Sequence, residues 1–448
     1  MIHPAAIVAV DDKPGELKTI IDALRQLDVA CLPVLADGAN VDLRAPLKGV
    51  RLVFFDINYL SGVVSETAMF EAAATVLMKV VAPDNGPFVL ITWSSKSETH
   101  DRLMAHLARD VPEAPAPAVT GFLRKERFTA EGVGREGGQA LRDEIKSVIA
   151  SQPQVQALMG WELSAREAAG DVVCSLLELF TREQRFGAGY GDQFQQILSH
   201  IGASAVGAEN VDMDRRGAMD EALVPILFDR LTHQLPDEDE EAVWTAALGA
   251  GAGNARAHGP RLNALSHIAR NVGGTAPGDR GVVFAVPEGA GQRMAERVGV
   301  DLAAIAADFL NSLPEGRNKP GPPDMADVTA RCRWVFIGTR AVCDQAQAKG
   351  AMRPVVLALE VPGSLKENGR GLRYNTHGAI ELTPRFTLAD AADESDRRLV
   401  VDWHWTTSFS KAELNTATVL YRIREPLISQ LTTQMGVYAT RPGIITYD

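Results

Sequence analysis

Cysteine is scarce in this chain. Its 448 residues include four, Cys31, Cys174, Cys332 and Cys343, with no C-x-x-C pair among them. That spacing argues against a zinc knuckle and a disulfide framework and fits a reducing cytoplasm. Long apolar runs are missing too. No segment reaches the length needed to span a bilayer, and the N-terminus lacks the basic stretch and apolar core of a signal peptide. A cytoplasmic protein with no membrane partner is expected. Positive charge is in deficit: 45 Lys and Arg against 57 Asp and Glu give a net charge of -12. Such a chain is poorly matched to nucleic acid or anionic lipid, and it has neither a basic arm nor C2H2 finger spacing. The motifs GxxxxGK[ST], HExxH and GxSxG are absent, which removes the commonest nucleotide, zinc-protease and hydrolase readings.

What is present is ordinary globular material, 46% hydrophobic and 23% charged, long enough for several domains. Up to about residue 150, apolar strand-like runs alternate with helical spacing. Ile7 to Val10, Val29 to Leu35, Val50 to Phe55, Phe88 to Thr92 and Gly121 to Arg124 read as strands. Between them, Leu17, Ile20, Ile21, Leu24 and Leu27, and then Met69, Phe70, Ala73, Val76, Leu77 and Val80, recur as helix faces. Near-continuous apolar strands separated by amphipathic helices predict a doubly wound, five-stranded parallel sheet. In the order 2-1-3-4-5 the second strand is an edge, where Pro33 is tolerated. A mainly helical region follows over 151–320. A mixed α+β domain over 321–448 closes the chain, beyond the Pro/Gly-rich stretch at 313–324. Within that domain, 411–438 reads as one long helix and "DWHWTT" (402–407) as a strand packing its tryptophans.

The chemistry gathers at one rim. Ligands of doubly wound folds bind beyond the carboxyl ends of the strands. Strand one ends in Asp11 and Asp12, strand three in Asp56, strand four in Thr92 and strand five in Lys125. Three carboxylates crowded together repel and lose solvation, so something must compensate them. A hard divalent cation does so, and Mg²⁺ takes a few carboxylates together with water and phosphate oxygens. Asp56 is then placed to act as a nucleophile toward a phosphoryl group. Lys125 and the metal offset the charge in transfer, and the Thr92 hydroxyl bonds a phosphate oxygen afterwards.

This arrangement resembles the receiver domain of bacterial response regulators over the first third of the chain, 1–150. The matching residues are Asp11, Asp12, Asp56, Thr92 and Lys125. The resemblance implies that Asn58 offers its backbone carbonyl to the metal, that Phe122 is a switch aromatic, and that the phosphoryl donor is a partner histidine kinase. Departures are visible: Glu126 follows the lysine where the family usually has Pro, and Trp93 follows the hydroxyl where a small residue is usual. Trp93 is expected to crowd the access of a phosphodonor. The segment "VPEAPAPAV" (111–119) is expected to loop out extra length.

No DNA-binding output is visible, and through these receiver departures, "CDQAQAK" (343–349) and the "REPLISQL…RPGI" ending (424–444) the chain resembles the receiver-containing middle component of Detocs-like anti-phage phosphorelays. That resemblance implies a phosphate buffer standing between a histidine kinase and a receiver-containing effector. No enzyme activity is then expected beyond Mg²⁺-dependent self-phosphorylation and dephosphorylation. Two other readings stay open: an effector enzyme with its active site in 155–448, switched by the receiver, and an inert pseudo-receiver scaffold. Cys343, in "RAVCDQAQAK", reads either as a small core residue beside a helix start or as a reactive thiol.

Overall fold

The computed structural model describes residues 5–26, 28–60, 64–94, 97–124, 135–249, 258–285, 332–346, 350–363, 380–388 and 396–440. The chain divides into two compact units, Met1–Leu177 with Leu227–Gly251, and Glu178–Ile226 with Ala252–Asp448. The candidate linker at 313–324 and residue Lys125 lie outside the described residues.

In the first unit the order is β1 (Ile7–Asp11), α1 (Pro14–Arg25), β2 (Leu32–Asp37), β3 (Asn40–Val41), β4 (Leu52–Phe55), α2 (Glu66–Val80), β5 (Val89–Ser94), α3 (Ser97–Asp110), β6 (Val119–Arg124), α4 (Arg135–Ala150) and α5 (Pro153–Glu178). The sheet has six strands in the order 3-2-1-4-5-6, not five in the order 2-1-3-4-5. The added strand is β3. It runs antiparallel to the end of β2, with Ala36 opposite Val41 and Asp37 opposite Asn40. The other neighbouring pairs are parallel. The cause is local: Gly38, at φ +58°, supplies the left-handed residue that a two-residue hairpin loop needs. Pro33 therefore lies on a strand whose C-terminal end is paired on both sides, while Pro33 itself pairs with Ala9 of β1.

Alternation along the strands feeds two cores. Val8, Val10, Val53, Phe55 and Leu90 face α2 and α3, meeting Phe70, Val76, Leu77, Leu103 and Leu107. Ala9, Phe54, Ile91, Trp93 and Leu123 face the other way, meeting Leu17, Ile20 and Leu24 of α1 and Leu141 of α4. At about 25 cal/mol per Å² of apolar area removed from water, these two layers supply the driving force that holds the strand ends in line. The connection at 111–118 is a loop, as expected, and Val111 and Ala114 pack onto the α2/α3 side. Gly121 is required in β6, because a Cβ there would lie 2.7 Å from the Val148 side chain of α4.

Helix α5 is tied to the N-terminal end of β4 by a two-pronged ion pair. Arg51 donates from Nε to Glu162 Oε2 (2.6 Å) and from Nη2 to Oε1 (2.8 Å), while its Nη1 donates to the Val50 carbonyl. Both side chains are mostly buried, at 18% and 27% exposed. Arg51→Ala should lower the stability of this unit by about 1–3 kcal/mol. The Arg51 hydrogen bond holds the Glu162 carboxyl below its ordinary value, against the opposing effect of burial. A lowered folded-state pKa means that the contribution is complete above the unfolded-state value and fades as pH falls through the folded one. Urea unfolding at neutral and at acid pH checks this. The gap between wild type and variant should shrink in acid, and an equal gap at both would contradict it.

The second unit contains α6 (Arg182–Phe186), α7 (Tyr190–Val206) and part of α8 (Arg215–His233), while α9 (Glu238–Leu248) belongs to the first. The second unit continues with α10 (Gly259–His267), β7 (Ile268–Ala269), β8 (Val282–Ala285), β9 (Arg333–Gly338), α11 (Val342–Ala346), β10 (Met352–Pro362), β11 (Ile380–Leu382), β12 (Arg397–Ser410), α12 (Lys411–Leu414), β13 (Val419–Ile423) and α13 (Glu425–Ala439). Its sheet has seven strands in the order 11-12-10-9-8-13-7 and antiparallel pairing. Strand β8 falls on "GVVFAV" (281–286), which by its apolar run reads as a strand within the otherwise mainly helical stretch, and it joins the C-terminal sheet. The single helix expected over 411–438 is instead a helical turn, a strand and a helix. The spacing of Leu414, Tyr421 and Ile428 suits a helix, but Val419–Ile423 finds a strand partner in β8, and Pro426 sits at the start of α13 rather than inside a longer helix. Strand β12 buries Trp403, as "DWHWTT" suggested, whereas Cys343 is exposed on α11 rather than in the core. Among the described residues no helix is long and apolar enough to cross a membrane.

Candidate functional site

Strands β1 and β4 are parallel neighbours with Val10 opposite Phe55, so the chain leaves both at the same level. Asp11 ends β1, Asp12 follows it, and Asp56 follows β4, its amide donating to the Val10 carbonyl (3.0 Å). Their carboxylates converge, and one oxygen from each lies within 4.8 Å of the others. Asp11 is fully buried and Asp56 is 4% exposed. The Lys13 amide donates to Asp11 Oδ1 (2.9 Å). Among the described residues, Asp12 Oδ1 is buried without a hydrogen-bond partner. Leaving such an oxygen unsatisfied is costly, and a cation in the cluster would satisfy it. Three carboxylates are the donor type that hard divalent cations take, so the residues fit such an ion; the donor set by itself does not distinguish Mg²⁺ from its hard relatives.

Two residues that the sequence reading passed over belong to this neighbourhood. Tyr59, three positions after Asp56, is 3% exposed and packs edge-on against Phe55 at 5.4 Å. Its hydroxyl has no hydrogen-bond partner among the described residues. Burial first, then the negative charge of Asp56, Asp11 and Asp12, pushes its pKa well above the ordinary phenol value. The phenol therefore keeps its proton beside the acids. The second residue is His100, in the first turn of α3. Thr92 lies opposite Phe55 in the β4–β5 register, fully buried. Its Oγ1 donates to the Gly121 carbonyl (3.2 Å) and lies 2.7 Å from His100 Nδ1. Burial lowers the His100 pKa, with Asp101 opposing, and the ring lies 6.3 Å from that of Phe122. A cue existed for both: each follows a predicted site residue by a few positions, in "DINY" and "TWSSKSETH".

The other predicted residues divide. Asn58 is exposed, two positions beyond Asp56. Strand β6 closes at Arg124, level with Ser94, immediately before Lys125 in sequence. Trp93 does not crowd the mouth of the site. It is 2% exposed and lies in the core facing α1 and α4, because alternation along β5 turns it away from the face that carries Thr92. The parallel sheet with its acidic cluster is compatible with a receiver-like fold. No family model matches the chain, and neither a curated protein nor a solved structure matches it.

Proposed function

We propose that the N-terminal unit is a phosphoryl-accepting receiver, with Asp56 as the acceptor and a partner histidine kinase as the donor. The observation that carries this reading is the convergence of Asp11, Asp12 and Asp56 at the ends of adjacent parallel strands. Asp11, Asp12, Asp56 and the carbonyl of Asn58 would hold Mg²⁺, which when bound neutralises charge on the group in transfer. An Asp56 carboxylate oxygen attacks phosphorus, the P–N bond to the donor imidazole breaks, and that imidazole takes up a proton as it leaves. The acyl phosphate on Asp56 is later hydrolysed, returning the carboxylate and inorganic phosphate. Lys125 offsets the transferred charge, and Thr92 donates its hydroxyl proton to a phosphoryl oxygen. In the whole protein this chemistry serves as a phosphate buffer of an anti-phage relay, drawing phosphate away from a receiver-containing effector.

The test is intact-protein mass spectrometry after incubation with Mg²⁺ and acetyl phosphate, or with a cognate kinase. A single phosphoryl increment is expected in wild type, and none in Asp56→Asn. An unmodified wild type under both donors would point to a scaffold instead.

One observation favours a second reading, an effector enzyme in 155–448. Asp402 Oδ1 lies 2.7 Å from His404 Nδ1, and His404 Nε2 lies 2.6 Å from the Tyr438 hydroxyl. In that chain the aspartate fixes the imidazole tautomer, and Nε2 is left to accept the tyrosine proton. If this is an active site, expressing a phosphomimetic form is toxic to cells and adding Tyr438→Phe removes the toxicity.

A further inference from the structure

We infer that His100 is a positioning residue for the phosphoryl site, holding the Thr92 oxygen so that its proton can turn from Gly121 to a phosphoryl oxygen on Asp56. This rests on the reading of Asp56 as the acceptor. The Thr92 hydroxyl carries one proton and meets two partners. If it donates to the Gly121 carbonyl, the 2.7 Å contact with His100 requires the imidazole to carry its proton on Nδ1 and to donate to Thr92 Oγ1. The two bonds differ in length. The one to Gly121 is 3.2 Å and the one to His100 is 2.7 Å, so the longer one yields first when a charged acceptor arrives.

Rotation about the Thr92 side chain then exchanges Gly121 for the phosphoryl oxygen while His100 keeps the hydroxyl oxygen in place. Thr92 is fully buried, so no water stands ready to replace His100 as its donor. Two donors in series, imidazole to hydroxyl and hydroxyl to phosphoryl, also polarise each other. The same ring lies beside Phe122, next to Gly121 in β6, so the release of that carbonyl is felt where α3 meets the strand.

Replacing His100 by Leu removes the donor and keeps apolar bulk. His100→Asn places an amide nitrogen on Cγ, where Nδ1 sits, and so restores it. Beryllium fluoride with Mg²⁺ serves as the phosphoryl mimic, its binding to the full chain read by fluorine NMR. His100→Leu should weaken binding about five- to tenfold, while His100→Asn should stay within about twofold of wild type. In wild type, the His100 Nδ1 resonance should move when the mimic binds, and it should already be displaced in the free Thr92→Val protein. That second measurement needs no His100 variant to fold. Unchanged binding in His100→Leu, equal weakening in both His100 variants, or an Nδ1 resonance indifferent to the mimic would each overturn the inference and leave Asp56 as acceptor. Failure of wild type to bind the mimic, together with no phosphoryl increment on Asp56, would overturn both.

Discussion

Asp12→Asn should raise the stability of the metal-free protein and remove about half or more of what a divalent cation adds to it. Carboxylate oxygens of Asp11, Asp12 and Asp56 lie within 4.8 Å of one another, and two unit charges at about that distance repel by about 3–4 kcal/mol at an effective dielectric constant near 20. Solvent and local hydrogen bonds offset part of this, so neutralising one charge should gain about 1–2 kcal/mol without metal. The Asn side chain also brings an N–H that the neighbouring carboxylates can accept. With Mg²⁺ at about a hundred times its dissociation constant, wild type should gain about 2.7 kcal/mol. The variant, having lost an anionic ligand, should bind at least about tenfold more weakly, which leaves it well short of that gain at the same concentration. Thermal melts with Mg²⁺ and with a chelator decide the matter. A variant that melts lower in chelator, or that takes the full wild-type increment from Mg²⁺, would show that the cluster is not a cation site.

The largest effect on stability is expected in the second unit. Glu360, near the C-terminal end of β10, is 1% exposed. It accepts two hydrogen bonds from Arg333 Nη2 (2.9 and 3.0 Å) and one from the Tyr421 hydroxyl (2.7 Å), with Arg397 Nε at 3.9 Å. Burial first, then the Glu360 charge, pushes the Tyr421 pKa well above its ordinary value, so the phenol stays a donor. Glu360→Ala takes the acceptor from the fully buried Tyr421 hydroxyl and the carboxylate from Arg333, which is itself 43% exposed. Because solvent screens the Arg333 charge that remains, the cost falls below that of a fully buried pair, to about 2–3 kcal/mol. Removing the polar partners together should cost much less, so the triple variant Glu360→Met, Arg333→Met, Tyr421→Phe should recover most of the loss. Hydrogen exchange of the β9 and β10 amides reads this unit separately from the other. Single and triple variants that exchange alike would mean that the cluster contributes only its packing volume.

Much of the first unit was legible because its signals are periodic and repeated. Buried strands such as Val50 to Phe55 announce themselves as apolar runs, and the helices between them show spaced leucines and isoleucines. The acids that end strands one and three were legible for the same reason, since a charge that stops an apolar run marks a strand's mouth. Strand β3 was not, because two residues carry no period; only the Asp37–Gly38 pair hinted at a hairpin. The stretch 411–438 misled because its apolar spacing suits a helix, and the choice fell to β8, more than a hundred residues away.

By itself, then, the sequence determined that apolar strands end in Asp11, Asp12 and Asp56, since local pattern and charge are properties of neighbours along the chain. Tertiary structure decided that these acids meet, that Trp93 turns away from them, and that His100 and Tyr59 join their surroundings. Those outcomes depend on strand register and on which helix covers which face of the sheet. They are set by burying side chains between segments distant in sequence, which no single stretch of sequence encodes.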